Sequence, residues 1–253
     1  IGLKFDGKIV LASNMYIIAQ GHPAVSLTYN TDGSLDSYYI FNSSWTMKVY
    51  NMAVQSDGKY IVAGAVTDAS TNGAFLARYN EDGTFDTGFS SDGYIIAGCC
   101  DYFDVAIQND GKILVIEGGG GIHRYNSDGT IDNSFNNTWV QNSYGDGRDI
   151  AIQSDGKIIA LGMIGYSTAI SRFNTDGTID NSFSEDGTII LSDFSNRASG
   201  IKSLAIQSDD NILVAGTYEE AGGSGPAYKY LKIARIISVS TPTMTITAAE
   251  GAD

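Results

Sequence analysis

Residues 52–64 read MAVQSDGKYIVAG, and residues 80–86 read NEDGTFD. In the first stretch Asp57-Gly58 separates two short apolar runs. This predicts a β-hairpin, because glycine adopts a positive φ without steric cost. The second stretch is rich in Asn, Asp and Gly, which predicts a turn-rich connection. The two stretches together predict a pair of antiparallel strands and, later in the repeat, a connection made of tight turns.

Both stretches recur along the chain. Asp-Gly-Lys begins at residues 6, 57, 110 and 155, and a degenerate copy begins at residue 209, so successive copies start 51, 53, 45 and 54 residues apart. The pattern Asn-x-Asp-Gly-x-x-Asp begins at residues 30, 80, 126 and 174. A period near fifty residues is typical of a repeat architecture.

Each repeat predicts four short strands. In residues 50–98 these are Met52–Gln55, Tyr60–Gly64, Phe75–Tyr79 and Tyr94–Ala97, and no window shows the apolar period of an amphipathic helix. Four antiparallel strands per repeat are typical of a β-propeller blade. We therefore predict an all-β fold, a β-propeller of five four-stranded blades. The predicted first strands of the blades are Leu3–Phe5, Met52–Gln55, Val105–Gln108, Ile150–Gln153 and Leu204–Gln207.

The five repeats predict one propeller domain over residues 1–237. Residues 238–253 are expected to be a linker or a closing strand that leads to a further domain. The fourth strand of the fifth blade is not evident in the sequence. Either residues 237–247 complete the ring or the ring has more blades, and we favour a closed ring of five.

Composition narrows the classes of function. Fifteen basic and 29 acidic residues give the chain a net charge of −14, which disfavours binding to nucleic acid or to an anionic membrane. No apolar run is long enough to insert into a membrane. The sequence starts without Met or a signal peptide, so we expect a processed or excised piece. Thirty glycines and 15 tyrosines favour a secreted all-β domain. The adjacent Cys99 and Cys100 are interpreted as free or oxidised thiols at a strand end, and a strained vicinal disulfide between them is the alternative.

The repeat resembles a known bacterial family. Residues 151–158 read AIQSDGKI and residues 77–86 read ARYNEDGTFD, and this unit resembles the delta-sixty repeat, a propeller family of unknown function in large secreted and surface proteins. The tail TPTMTITAAEGAD, residues 241–253, resembles the opening of a bacterial immunoglobulin-like repeat. These resemblances imply a secreted or cell-surface module within a larger protein. They supply no active-site residues.

The recurring Asn-x-Asp-Gly-x-x-Asp loops raise the question of calcium, because calcium loops space oxygen ligands in this way. Two residues before the Asn, however, three of the four repeats carry an arginine. Its guanidinium would pair with the following carboxylates in place of the cation. We therefore expect the first Asp of each loop to cap its turn and the last Asp to tie the loop to the strand. The first repeat, which carries Thr28 at this position, is the one loop in which an ion remains conceivable.

The variable loops predict where a site would lie. The loops that repeat nearly verbatim share one end of the blades, and the loops that differ between repeats share the other end, here called the upper end. Residues just before the first strands are expected to surround the mouth of the central channel. Equivalent positions there are Asn51, Asp104, Asp149 and Ser203, the preceding links add Asp101, Asp146, Arg148 and Asp193, and the loops between second and third strands add His22, Glu117, Glu219 and Glu220.

These residues form an acidic rim at the upper end, and several functions are compatible with it. Asp104 and Asp149 are candidate ligands for calcium, which would make the protein a metal-dependent hydrolase of ester, lactone or phosphotriester substrates. Alternatively, the same pair could serve a glycoside hydrolase, or the carboxylates could simply be solvated. The hypothesis we favour is a non-catalytic module that binds a glycan, a protein or a small molecule at its upper end. Tyrosines beside carboxylates are typical of sugar-binding clefts, and those near this end are Tyr16, Tyr50, Tyr102, Tyr144, Tyr166 and Tyr218.

Overall fold

A computed structural model describes residues 1–14, 24–40, 46–67, 72–98, 100–136, 138–139, 147–164, 167–191, 201–220, 228–237 and 243–248. The chain divides into two compact units. The first unit contains residues 1–118 and 123–132, and the second contains residues 119–122 and 133–253. All regular structure in the described part of the chain is β-strand, together with tight turns, and none of it is helical.

In the described part of the chain twenty strands form five four-stranded sheets, and each sheet takes four strands that are consecutive in the chain. This arrangement confirms the predicted all-β propeller fold, and each sheet is called a blade below. Blade 1 contains β1 (Gly2–Leu3), β2 (Ile9–Asn14), β3 (Ala24–Tyr29) and β4 (Leu35–Ile40), and blade 2 contains β5 (Thr46–Val54), β6 (Tyr60–Thr67), β7 (Asn72–Tyr79) and β8 (Tyr94–Ala97).

The remaining strands follow the same order. Blade 3 contains β9 (Tyr102–Ile107), β10 (Ile113–Glu117), β11 (Gly121–Tyr125) and β12 (Thr138–Trp139), and blade 4 contains β13 (Asp149–Ile152), β14 (Ile158–Ile164), β15 (Ser167–Phe173) and β16 (Thr188–Leu191). Blade 5 contains β17 (Ile201–Ile206), β18 (Ile212–Glu220), β19 (Tyr228–Ile237) and β20 (Thr243–Ala248). The fourth strand that the sequence left undecided is therefore β20, which pairs antiparallel with β19.

Apolar cores lie between successive blades within each unit. In the first unit, Ile61 and Leu76 of blade 2 pack with Val105 and Ile113 of blade 3, and all four side chains are buried. In the second unit, Ile159 of blade 4 packs in the same way with residues of blade 5. Blade 2 also packs against blade 1 on its other face. Because both of its faces are covered, its strands have continuous apolar runs rather than alternating ones.

A three-residue charged network closes the lower end of blades 2, 3 and 4. In blade 2, Asp86 accepts hydrogen bonds at Oδ2 from Nε of Arg78 and Nζ of Lys59, each at 2.7 Å. The prediction that the last Asp ties the loop to the strand is confirmed here. The equivalent networks are Arg124–Asp132–Lys112 and Arg172–Asp180–Lys157. Because the Lys belongs to the hairpin and the Asp to the loop, the two recurring sequence elements lie at the same end of the blade.

The first Asp of each loop caps its turn, as predicted. Asp82 Oδ1 accepts the backbone N–H of Thr84 at 2.9 Å and the Thr84 hydroxyl at 2.7 Å. These hydrogen bonds lower the pKa of Asp82 from its ordinary value. The same pair of bonds occurs at Asp32, Asp128 and Asp176. The repeated loop is thus a self-contained Asx turn.

No helix in the described part of the chain is both long and apolar enough to span a membrane.

Candidate functional site

Asn51 and Asp104 stand at equivalent positions of blades 2 and 3, and they bind each other. Nδ2 of Asn51 lies 2.5 Å from Oδ1 of Asp104, which also accepts the N–H of Val105 at 2.7 Å. Oδ1 of Asn51 accepts the N–H of Met52 at 2.8 Å. A β-bulge between Val49 and Asn51 marks this point of β5. Asp104 is only 3% exposed. Its contact with Asn51 joins the first strands of blades 2 and 3 at positions inside both strands.

Asp149 makes a comparable link in the second unit. Its Oδ2 accepts the backbone N–H of Leu204 at 2.7 Å, which ties the first strand of blade 4 to that of blade 5. The neighbouring Arg148 donates its backbone N–H to the carbonyl of Leu161 at 2.9 Å. Asp104 and Asp149 thus belong to different units, and each has partners within its own unit. Their joint action as calcium ligands stays a prediction.

The rest of the predicted rim is described only in part. His22, Asp146 and Asp193 lie outside the described residues, and so do Tyr16, Tyr144 and Tyr166. Glu219 and Glu220 belong to β18, but their side chains are outside the description. Within the described ranges, no group of three or more His, Cys, Asp or Glu residues is arranged to hold a metal ion.

An aromatic and a carboxylate meet at the upper end of the first unit. The hydroxyl of Tyr50 donates to Oδ2 of Asp101 at 2.7 Å. Its ring meets Phe103 edge to face, with ring centroids 4.7 Å apart and an interplanar angle of 63°. Gly118 donates its N–H to the carbonyl of Asp101 at 2.9 Å. We call Tyr50, Asp101, Phe103 and Gly118 the Tyr50 cluster.

The Tyr50 cluster keeps a surface open to solvent. Tyr50 is 39% exposed. The sequence predicts that it lies near this end of the blades but does not predict its exposure. A methyl group on Gly118 would lie 2.8 Å from Cε2 of Phe103, so glycine is what allows that ring to lie against the backbone. Partial burial, the hydrogen bond to Asp101 and the Asp101 charge raise the pKa of Tyr50 to about 12. The phenol is therefore neutral, and donates to Asp101, at physiological pH.

Glu117 lies beside this cluster, at the end of β10. Its Oε2 is 3.2 Å from Nε2 of His123, which makes an ion pair when the histidine is protonated. His123 itself is partly buried. Beneath them the hydroxyls of Tyr102 and Tyr125 are 2.6 Å apart, and burial beside Tyr125 raises the pKa of Tyr102. Tyr102 and Tyr125 also belong to the apolar core between blades 2 and 3.

A cavity of about 360 Å³ lies at the lower end of the first unit, opposite the end at which the sequence predicts a site. It is formed where the first strands of blades 1 to 3 finish. A signal for it exists in the sequence, since a Gln follows the first strand in four of the five repeats. The cavity is lined by Leu3, Phe5, Val54, Gln55, Ser56, Ile107, Gln108, Asn109 and Gly111.

Comparison with known families matches the recurring segments of the chain. Residues 55–89, 117–135 and 153–183 match the family described as "Domain of unknown function (DUF5122) beta-propeller". The chain is a β-propeller. The matched segments contain the Lys59–Asp86–Arg78 network and its equivalent in blade 4. The matched segment 117–135 also contains Glu117 and Gly118 of the upper end, so the family match includes residues from both ends of the blades. No curated protein matches the chain.

Solved structures share the propeller fold at low sequence identity. A protein from Lactobacillus plantarum is 12% identical, with a TM-score of 0.63 over 99% of this chain and 70% of its own. The Dos1 propeller is 8% identical, with a TM-score of 0.50 over 91% of this chain and 67% of its own. A catalytically inactive virginiamycin B lyase from Staphylococcus aureus, solved with quinupristin, is 15% identical, with a TM-score of 0.48 over 96% of this chain and 76% of its own. At these identities the likeness concerns the fold alone.

Proposed function

We propose that this propeller is a non-catalytic module that binds a glycan at its upper end, through the Tyr50 cluster. The observation that carries the proposal is the Tyr50–Asp101 pair, in which a partly exposed ring is held in place by a 2.7 Å hydrogen bond to a carboxylate. Holding the ring in advance reduces the conformational entropy that is lost when a ligand binds. A fixed aromatic surface beside acceptor oxygens is well suited to a sugar ring.

The charge of the protein narrows the glycan class. With a net charge of −14, the propeller repels sulfated and other strongly acidic polysaccharides at long range. A neutral or amino-sugar glycan is therefore the partner we propose. A protein ligand at the same face is the competing outcome of the test below.

The setting of this module is part of the proposal. We infer a secreted or cell-surface bacterial protein of which this propeller is one part, in line with the glycine- and tyrosine-rich, acidic composition and with the resemblance to the delta-sixty repeat. The resemblance of the tail to an immunoglobulin-like repeat points the same way. Residues 243–248 of that tail pair with β19 and form the fourth strand of blade 5.

The alternative of a calcium-dependent hydrolase is less well supported by the geometry. A catalytic carboxylate must reach its substrate or a metal-bound water. Asp104 is 3% exposed, and its Oδ1 already accepts the Asn51 amide and the Val105 N–H. These contacts favour a structural role for Asp104.

The test is a glycan-array screen of the wild-type protein, followed by calorimetry on the best ligand. Tyr50→Ala is expected to weaken binding at least tenfold, which corresponds to about 1.4 kcal/mol. Tyr38→Ala is the matched control, because Tyr38 is a 66% exposed tyrosine of β4 outside the cluster, and it is expected to bind normally. Equal affinity of both variants would reject the cluster as the site. Hydrolysis of ester substrates that EDTA abolishes would favour the hydrolase instead.

A further inference from the structure

Within each unit, a recurring contact joins one blade to the next. The glycine of the Asn-x-Asp-Gly turn lies directly on an aromatic residue of the preceding blade. A methyl group on Gly83 would be 2.7 Å from Cβ of Tyr39, one on Gly129 would be 3.1 Å from the ring of Phe89, and one on Gly177 would be 2.8 Å from the ring of Phe135. Since real side chains essentially never come closer than about 3 Å, Gly83 and Gly177 leave room for the aromatic residue only because they lack a Cβ.

A backbone hydrogen bond accompanies this contact. The N–H of Ser90, which follows Phe89, donates to the carbonyl of Asp128 at 2.8 Å. In the second unit the N–H that follows Phe135, that of Asn136, donates to the carbonyl of Asp176 at 2.9 Å. The aromatic residue and the N–H after it therefore bind the next turn together, at its glycine and at the aspartate before it.

The turn of blade 1 has the same conformation but lacks this contact. Gly33 has a φ of +83°, close to the +87° of Gly83, Gly129 and Gly177. A methyl group on Gly33, however, would meet nothing within 4 Å. The turn of blade 1 therefore has the backbone conformation that receives an aromatic residue in blades 2 to 4. In the described part of the chain, no aromatic residue lies on its glycine.

The strands of blade 1 are also less buried than those of blade 2 on the equivalent side of the blade. Four apolar side chains there are only partly buried, namely those of Ile9, Leu11, Leu27 and Tyr29. The residues at the same repeat positions in blade 2, which face blade 1, are 0–1% exposed, and they are Tyr60, Val62, Ala77 and Tyr79. Tyr38, which pairs with Leu27 across β3 and β4, is 66% exposed, whereas Tyr94 at the equivalent position packs into a core.

We infer that this side of blade 1 is a docking surface for a further blade of the same repeat. The surface, called the open side, consists of Ile9, Leu11, Leu27, Tyr29 and Gly33. The incoming blade would place an aromatic residue on Gly33 and donate the following N–H to the carbonyl of Asp32, as blades 2 and 3 do for their successors. A blade of this type fits because the open side repeats an interface that the chain already forms within each unit. This inference is independent of the glycan site.

Blade 5 exposes apolar side chains on the side that, in blade 2, is covered by the following blade. Leu231 and Ile233 of β19 are 53% and 39% exposed. Their equivalents in blade 2, Ala74 and Leu76, are 1% and 0% exposed because blade 3 covers them. After Arg235-Ile236 the sequence also lacks an Asn-x-Asp-Gly turn and the aromatic that follows it. The blade that fits the open side of blade 1 is therefore one of the type of blades 2 and 3, which carry that aromatic residue.

The experiment compares the chain with an extended chain in which residues 46–104 are duplicated and joined directly to Ile1. Ile1 then follows Asp104 in the way Val105 does in blade 3. Hydroxyl-radical labelling with mass spectrometry reads the exposure of Tyr29 and Tyr38. We expect labelling of both residues to fall at least threefold in the extended chain. Unchanged labelling of Tyr29 and Tyr38, in an extended chain whose far-ultraviolet circular dichroism shows that the added strands have folded, would overturn the inference.

Glycine substitutions provide a second readout that does not depend on labelling. In the chain as it stands, Gly33→Ala is expected to lower Tm less than Gly83→Ala, because only Gly83 contacts an aromatic residue. In the extended chain the two substitutions should lower Tm equally. Replacing the added copy's aromatic residue (Phe89→Ala in that copy) should restore the difference. A Gly33→Ala effect that is the same in every chain would also overturn the inference.

One further outcome identifies a different occupant. If the unextended chain sediments as a dimer in which Tyr29 and Tyr38 are protected from labelling, the open side is occupied by a second copy of this chain rather than by a further repeat.

Discussion

Nε of Arg78 lies 2.7 Å from Oδ2 of Asp86, and both side chains are only 11% exposed. The same oxygen accepts Nζ of Lys59, so a single carboxylate oxygen joins a hairpin, a strand and a loop. The recurring Arg, Asp and Lys residues are thus explained by one ion-pair network at the lower end of blades 2, 3 and 4.

Breaking this network should destabilise the first unit strongly. Asp86→Ala leaves the Arg78 guanidinium without its carboxylate in a nearly dry site, so we expect the free energy of unfolding to fall by about 3 kcal/mol. The control is Asp36→Ala in blade 1, where Asp36 and Lys8 are about one-third exposed and 3.2 Å apart, and where the expected loss is below about 1 kcal/mol. Urea denaturation measures both. Equal losses would contradict a special role for the arginine.

The glycines of the loops should differ in their tolerance to alanine. Gly177 and Gly111 have φ values of +87° and +82°, so both substitutions carry the cost of a left-handed backbone, about 1–2 kcal/mol. At Gly177 the new methyl group would also lie 2.5 Å from the carbonyl oxygen of Asn136, whereas at Gly111 the nearest atom is 3.8 Å away. Gly177→Ala should therefore cost about 1–3 kcal/mol more than Gly111→Ala in thermal denaturation. A smaller effect at Gly177 would show that the turn moves freely.

Acid should weaken the second unit through Asp180. Burial raises the pKa of this carboxyl, but hydrogen bonds from Ser182 and Lys157 and the charge of Arg172 outweigh that effect and lower the pKa to about 2. Because the folded state binds the proton less readily than the unfolded state, the stabilisation is present above pH 4 and is lost as the pH falls from about 4 to about 2. NMR titration of the carboxyl measures the pKa directly. In Asp180→Asn the stability should already be lower at pH 7 and change less over this range.

Alkali should act on the Tyr50 cluster. The pKa of Tyr50 is raised to about 12, so folding favours the neutral phenol. Stability from this residue is complete below pH 10 and is lost as the pH rises from about 10 to about 12. Tyr50→Phe should remove this component of the pH dependence, and ultraviolet absorbance of the tyrosinate anion follows the titration. In Asp101→Asn the phenol should ionise at lower pH, because the carboxylate charge is gone; an unchanged titration would mean that burial alone raises the pKa.

Asp104 should prove to be a structural residue. Asp104→Ala leaves the Asn51 amide and the Val105 N–H without their acceptor, and we expect a loss of about 2 kcal/mol in the free energy of unfolding. Asp101→Ala is the comparison, since Asp101 is less buried and should cost less than about 1 kcal/mol. A fully stable Asp104→Ala protein that had lost a catalytic activity would contradict this assignment.

The predicted upper site shows which features of a repeat protein follow from the position of a residue within its repeat. Asn51, Asp104 and Asp149 stand at equivalent positions of the repeat, and this equivalence is enough to place Asn51 beside Asp104 in the first unit. It did not reveal that the two side chains bind each other, because pairing depends on how far one blade is displaced against the next. Phe103 and Gly118 of the Tyr50 cluster were not selected for the same reason.

Local sequence patterns are sufficient to specify the blades and their lower ends. A glycine with positive φ, an Asx turn and an aspartate eight residues from its arginine act over a few residues, and any chain with this pattern makes the same turns. The tertiary structure alone decided the contact between Tyr50 and Asp101, which are 51 residues apart, the use of residues 243–248 as the last strand, and the exposure of one side of blade 1. These features depend on packing between blades, where distant residues meet only after each blade has formed.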